Sequence, residues 1–511
     1  MTERWDAIVI GSGLGGLVAA GLLARYGRRV LVCESHTIPG GAAHGFERQG
    51  FKFDSGPSFF SGLGDRVSRN PLRQVLDVLG ESLDAVPYDP LGYYHLPEGT
   101  VPIYRRLKDY QAAIAHVTPQ GAAELGAFVQ RLLALYAPLS EIPSLGLRPD
   151  LGIVPLLLRH PTALVKLLPQ LGAVQRSAGE ILDATVHDPW VRRLIDLECF
   201  LLSGLTAHGT IAPEVAFVFG ERETASVDYP RGGSEAIVAA LVRGLQRWGG
   251  TLRLGTTVAR ICVEGGRAVG VQLTTGDRIA APIVISNATL WDTYGKLLAP
   301  EELPPQFRTR ALATPAIHSF MHLHLGIRAT DLADLAVHHV VLHDRDRPLT
   351  DPGNTCMISI PSVLDPTLAP PGKHVVHAYT LEPWAGWQRD RTYAQRKRDR
   401  AEPLYRALER VIPDIRDRVE VELIGTPLTH QRFLRRHQGT YGPAITAGEG
   451  LFPNGKTPIA GLYRVGDSTL PGIGVPAVAA SGIFCANGLV SWQETANLVT
   501  AWTRDRPHTR S

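Results

Sequence analysis

The sequence predicts an α/β fold in which a doubly wound parallel-sheet domain is interleaved with an α+β domain. Three observations carry this. The chain opens on "AIVIGSGLGGLVAAGLLARYGRRVLVCES" (Ala7 to Ser35), where a strand-like apolar run meets glycines, then a helical pattern, then a second apolar run ending on an acid. Near the far end, "GLYRVGDSTLPGIGVPAVAASGIFCANGLV" repeats strand, turn and small-residue helix. Between them lie long stretches with strand and helix patterns of their own, so the first domain is assembled from separated segments. With 511 residues the chain can bury the core of two joined domains.

The opening unit has a reason for each glycine. Gly11, Gly13 and Gly16 form G-x-G-x-x-G directly after the strand "DAIVIG". The first permits the tight turn, the second lets backbone approach a pyrophosphate, and the third lets helix and strand pack closely. The helix that follows starts with free N–H groups aimed at phosphates. Glu34, 23 residues after Gly11 with Ser35 beside it, stands where an acid binds ribose hydroxyls. A Rossmann-type dinucleotide site is therefore expected, with Gly11, Ser12, Gly13, Leu14, Gly15 and Gly16 as its phosphate loop. The late segment adds a turn at Gly466 and Asp467, where the carboxylate can accept hydrogen bonds from a polyol. A dinucleotide gripped from both ends of the chain fits FAD better than a dissociating nicotinamide.

Composition excludes other classes. Net charge is +3, from 52 basic and 49 acidic side chains, so no nucleic-acid partner is expected. The five cysteines are scattered without a CxxC pair, which suits a reducing compartment and buried apolar roles. The first strand begins near Asp6, leaving no room for a signal peptide, and no run reaches the roughly 18 apolar residues of a spanning helix. A cytoplasmic protein, peripherally associated with a membrane, is the expectation.

These segments together resemble the FAD-dependent family of phytoene desaturases, carotenoid cis-trans isomerases and retinol saturases, over nearly the whole chain. The segments "YPRGGSEAIVAALVRGLQRWGGTLRLGTTVARI" (Tyr229 to Ile261) and "HQRFLRRHQGTYGP" (His430 to Pro443) are most similar to the carotenoid isomerase branch. The resemblance implies a two-dinucleotide-binding-domain flavoprotein. In it, Gly41 and Ala42 run past the ribityl chain and the backbone of Val258 holds the adenine. Gly466 and Asp467 form the second FAD motif, and Val475, Pro476, Ala477 and Val478 turn beside the isoalloxazine. Where the family commonly has a basic residue after the double glycine, this chain has Ala42, Ala43 and His44.

The expected organisation places the FAD-binding domain in 1–75, 226–290 and 455–495, the substrate domain in 76–225 and 291–454, and a C-terminal tail in 496–511. "RICVEGGRAVGVQLTTGD" reads as a hairpin turning at Gly265 and Gly266. "HSFMHLHLGI" from His318 and "HHVVLHD" from His338 read as strands walling a pocket. His322 and His324 share one strand face, but no acidic or cysteine cluster is near in sequence, so no metal is expected. "LGIVPLLLRHPTALVKLLPQLGAV" (Leu151 to Val174) is apolar, broken by prolines and carries basic residues. It reads equally as a membrane contact or as buried or lid helices.

The chemistry expected is that of a flavin, which exchanges hydride at N5. Members of the resembled family act on long apolar isoprenoids, so the substrate is expected to be a carotenoid or other lipid, with a quinone as one possible electron partner for desaturation. Desaturation, saturation and isomerisation share this scaffold. Helpers beside the flavin are expected among His44, Asp54, Ser58 and Tyr441, with a turn or cap role favoured for Asp54. Tyr441, Phe59, Phe60, Trp384 and Trp387 are candidate tunnel aromatics. A fatty acid substrate is the second enzyme reading, with Arg231, Arg432 and Arg435 as carboxylate anchors. A non-catalytic flavin-containing binder of lipid or pigment is the third. Oligomeric state stays open.

Overall fold

Apolar runs with no polar alternation can be satisfied only where both faces are covered, and the first strand shows this. Ala7–Ile10 is buried throughout and pairs in parallel with Val30–Cys33 on one side and Ile283–Ser286 on the other. Leu462–Arg464 and Thr251–Arg253 complete a five-stranded parallel sheet in the order 462–464, 283–286, 7–10, 30–33, 251–253. This computed structural model describes residues 4–65, 68–170, 172, 175–332 and 334–504.

One face of the sheet carries helices Leu14–Arg25, Pro71–Leu79, Ser234–Arg247 and Val475–Gly488. The small residues Ala19, Ala20 and Gly21 let the first of these lie fully buried between its neighbours. The other face is covered by a three-stranded antiparallel sheet, Val258–Glu264, Arg267–Leu273 and Arg278–Ala280, packed with Trp291 and Tyr294. Its first hairpin turns at Gly265 and Gly266, with Glu264 opposite Arg267. Strands from three distant parts of the chain thus build one domain.

Two boundaries differ from the sequence reading. Helix Pro71–Leu79 straddles residue 75 and belongs wholly to the first core through Leu72, Val75, Leu76 and Leu79. The segment from 496 is not a tail up to 504, because helix Trp492–Arg504 sets Leu498, Val499 and Trp502 on one face and docks them into the same core. The Trp502 indole donates to Asp77 at 3.1 Å. Residues 505–511 lie outside the described residues.

The second domain is a seven-stranded mixed sheet in the order 419–425, 319–328, 373–382, 355–359, 338–342, 92–96, 99–103. Helices Pro119–Ser140, Pro189–Ser203 and Ala212–Thr224 pack into the core on one side, and Tyr393–Glu409 packs on the other. Ser319–Arg328 lies next to the edge strand, is paired on both sides and is buried along almost its whole length, which brings its two histidines inside.

Residues 151–170 form two short helical pieces meeting at 109°. Of the alternatives read from the sequence, that of buried helices fails here. Only Leu156 and Ala163 are tucked in, while Leu151 and Leu158 are 86% and 69% exposed. The prolines break the segment into pieces too short to bury a full apolar face. The 171–174 end of the stretch lies, apart from Gly172, outside the described residues. Among the described residues no single helix is long and apolar enough to cross a membrane.

Candidate functional site

A cavity of about 790 Å³ runs from the glycine loop of the parallel sheet to the face of the seven-stranded sheet. That is the size range of cofactor sites. At its first end lie Gly11, Gly13, Leu14 and Gly15, then Glu34, Ser35 and His36, with Thr256, Thr257, Val258 and Ala259 beyond. Gly40, Gly41, Ala42 and His44 line the middle, opposite Gly466, Asp467, Val475 and Val478.

The loop is held by contacts that leave no room for side chains. Gly11 turns with φ +91°, and a Cβ on Gly16 would stand 2.4 Å from the Gly11 carbonyl oxygen. A Cβ on Gly13 would meet Asn287 Nδ2 at 2.5 Å. Asn287 follows strand Ile283–Ser286 and donates its backbone N–H to Ile10 at 2.9 Å, so it sits at the carboxyl ends of the central strands. Ligands of open α/β sheets bind at those ends.

Glu34 is buried, and its carboxylate accepts from the Ser12 N–H (2.8 Å), the Ser12 hydroxyl (2.6 Å) and the His36 N–H (2.8 Å). Ser12 therefore sits behind the loop rather than on the cavity wall, as does Gly16. Asp467, expected to serve a polyol, is paired with Arg436 at 2.6 Å. Arg436 also donates to the carbonyls of Thr440 and Tyr441, tying "GTYGP" to the second glycine turn.

The four helpers separate. His44 and Tyr441 line the cavity. His44 bonds the Gly41 carbonyl at 2.7 Å, and burial pushes its pKa below the usual histidine range. Asp54 lies behind the cavity wall. It accepts from Tyr229 (2.7 Å) and from the Ser234 N–H (2.8 Å) and hydroxyl (2.7 Å), holding the start of helix Ser234–Arg247. The carboxylate thereby satisfies an orphan N–H of that helix start from a distant strand, while Gly233 holds the N-cap position. Ser58 is buried against Ser359 at 2.7 Å and is absent from the lining of the main cavity.

The tunnel aromatics separate too. Tyr441 faces Phe320 edge-on at 5.2 Å on the cavity wall. Phe60 is buried among core residues, Phe59 lies by Arg222 and His338, and Trp387 is buried with its indole donating to Glu382 at 3.0 Å. These three, with Trp384, are absent from the lining. The apolar end is made instead by Phe200, Phe320, Met357, Tyr379 and Leu381. Of the three arginines, Arg432 and Arg435 line the cavity, whereas Arg231 pairs with Asp84 at 3.2 Å on the surface.

Histidines gather on a strand that the sequence reading placed on a pocket wall. His322 and His324 come from Ser319–Arg328, His377 stands opposite His324 on the next strand, and His430 comes from helix Pro427–Leu434. Their rings stack in near-parallel planes, with centroids 4.3 Å apart for His324 and His377 and 4.5 Å for His322 and His430. His322 Nδ1 lies 2.7 Å from His377 Nε2. Two nitrogens on a tetrahedral zinc stand about 3.3 Å apart, with lone pairs converging. Here the spacing is that of a hydrogen bond. Burial lowers the pKa of all four, to about 4 for His324 and about 3 for His430.

The family comparison meets this geometry. Residues 14–490 match the model of the flavin containing amine oxidoreductase family. The chain belongs to that family. It is 37% identical over 500 residues to prolycopene isomerase 2, chloroplastic, of an Oncidium hybrid cultivar, covering 95% of this chain and 84% of that one. It is 28% identical over 507 residues to phytoene desaturase (neurosporene-forming) of Cereibacter sphaeroides, covering 93% and 92%. Cyclohexylamine oxidase from Brevibacterium oxydans shares the fold at TM-score 0.57 and 16% identity, covering 98% of this chain and 100% of that one.

FAD is accordingly the cofactor, and the protein is an FAD-dependent oxidoreductase or isomerase. The donor set fits: a glycine loop that a single Cβ would fill, an acid at the second strand end, and a helix start at Val475 against the second glycine turn. Sequence reasoning missed Asn287, Arg436 and the partnership of His322, His377 and His430. The position of Asn287 after the strand "APIVIS" was a usable signal, whereas nothing in the sequence pairs Arg436 with Asp467.

Proposed function

We propose that this member of the family acts on double bonds of a long apolar polyene, carotenoid-like, by cis–trans isomerisation with reduced FAD or by hydride transfer at flavin N5. The observation that carries this is the apolar arm of the cavity, walled by Phe200, Phe320, Met357, Tyr379, Leu381 and Tyr441 and continuous with the dinucleotide cradle. A polyene is recognised by apolar and aromatic contact, and such walls exclude water from the reacting carbons. FAD supplies the redox chemistry at N5. The names and identities of the relatives support isomerisation ahead of desaturation, which would need an external acceptor such as a quinone. A fatty acid is the second reading, favoured by Arg432 and Arg435 on the cavity wall.

The experiment is purification in the dark, an ultraviolet–visible spectrum, and mass spectrometry of what solvent extracts. FAD with a polyene is the expected result. FAD with a fatty acid moves the assignment to the second reading, and protein that stays colourless after incubation with FAD overturns both.

We further infer that the protein docks on a membrane surface through the bent pair at 151–170. Leu151, Leu158, Val165 and Leu168 are exposed there, and the exposed Arg159 next to Leu158 in the chain supports a contact with lipid phosphates. Lys166 is held by Glu141 at 2.6 Å. Replacing those four apolar residues with serine is expected to abolish sedimentation with anionic liposomes, and unchanged sedimentation refutes the docking.

A further inference from the structure

FAD brings a pyrophosphate dianion into the cavity, and the loop that receives it supplies backbone alone. The glycine loop offers N–H groups, and the stretch after Gly40 and Gly41 carries Ala42, Ala43 and His44. Burial favours the neutral His44 imidazole, so it adds no charge. Three carboxylates, Glu34, Asp292 and Asp467, line the same cavity. Lys296 is paired with Asp292 at 2.6 Å and Arg436 with Asp467 at 2.6 Å, while Glu34 is held by N–H and hydroxyl donors. A dianion placed there meets net negative charge unless further cations face it.

Such cations stand on the chain between His430 and His437. Arg432 and Arg435 line the cavity, and among the described residues neither side chain has an ion pair or a hydrogen bond. Arg432 rests only over the Phe433 ring, 5.6 Å from its centroid. The chain is pinned on both sides of Arg435. Phe433 meets His36 edge-on at 5.8 Å, just beyond Glu34. Arg436 holds Asp467, and the His437 N–H donates to Asp292 at 2.8 Å while its ring stacks on Trp291 at 4.9 Å. Asp467 follows Gly466, whose backbone nitrogen a Cβ on Gly15 would meet at 3.0 Å, so this anchor stands at the glycine loop.

The backbone gives an independent sign. Arg435 ends helix Pro427–Leu434 with φ +51° and ψ +30°, in the left-handed region that glycine adopts far more readily. Strained residues of this kind cluster where a ligand is clamped. An arginine kept in that position is explained by what its side chain does, since a helix end needs only a glycine.

We propose that Arg432 and Arg435 bind the FAD pyrophosphate, supplying the positive charge that the glycine loop lacks. Guanidinium suits this role because its planar fork of donors matches phosphate oxygens and stays charged. The two arginines then serve the cofactor and are not the carboxylate anchor of the fatty acid reading.

The full chain, freed of flavin by dialysis, is titrated with FAD, and flavin fluorescence gives the Kd. Arg432→Gln and Arg435→Gln are each expected to weaken binding about tenfold, and the double variant about a hundredfold. Arg432→Lys with Arg435→Lys should recover most of that loss. Rising salt should weaken FAD binding more steeply in the native chain than in the double glutamine variant. A packing role would be blind to phosphate, so ADP and adenosine are compared as competitors of FAD. The double glutamine variant should lose about tenfold or more in affinity for ADP and little for adenosine, which also shows that the site is still folded. Unchanged FAD affinity overturns the proposal, as do equal losses for ADP and adenosine or no recovery with lysine. Unchanged FAD affinity with lost binding of oleate returns the arginines to a substrate carboxylate. A native chain that takes up no FAD overturns the cofactor assignment and the clamp together, before any variant is compared.

Discussion

The parallel-sheet half and the seven-stranded half meet across one cavity but were read from the sequence with very different success. In the first half, function is carried by backbone: tight turns, N–H groups and positions where no Cβ fits. Such demands leave glycines at set spacings, which a sequence displays. In the second half the site is built by side chains brought together from elements far apart in the chain, such as His322 and His377 from two strands and His430 from a helix. No spacing rule joins residues 55 and 108 positions apart. The comparison teaches that a site made of local backbone geometry is legible, and one made by sheet register is not.

The sharpest way to break this contrast is Gly13→Val. Its side chain would drive into Asn287 and the dinucleotide path. Flavin content should fall to near zero with the second domain still folded, and normal flavin content would end the Rossmann assignment.

The histidine half should answer to acid. His324, His338 and His430 have folded pKa values of about 4, 3 and 3, below their unfolded values near 6.5. The unfolded chain therefore binds more protons below about pH 6.5. Stability is fully present above that pH and is lost as pH falls, each group's slope approaching about 1.4 kcal/mol per pH unit. Glu214, pushed up to about 8 by burial, works the other way with one proton. Denaturant titrations at pH 7, 6 and 5 should show stability falling, and His324→Gln should flatten the fall.

Asp54 sits between the halves, and Asp54→Ala leaves Tyr229 and the Ser234 donors unpaired. A loss of about 3 kcal/mol is expected in chemical denaturation, with Asp54→Asn losing less. The smallest effect should be Asn287→Ala, which removes the side chain packed among the loop glycines without breaking a strand. FAD affinity is expected to weaken about tenfold, roughly 1.4 kcal/mol, in a fluorescence titration. An unchanged affinity would mean that the loop holds its shape alone.

The amino-acid sequence by itself determined the dinucleotide loop, the acid at Glu34, the hairpin at Gly265 and Gly266, and the interleaving of segments. Each is written in short-range periodicity or in residues whose backbone needs are unusual. Only the tertiary structure decided that Asp54 holds a helix start behind the wall, that Asp467 is held by Arg436, and that the 151–170 pieces stand exposed. It also decided which aromatics face the cavity and that the histidines stack. The reason is physical: an apolar or imidazole side chain has the same local pattern whether it ends in core, cavity or surface. Strand order, register and the packing of distant helices make that choice.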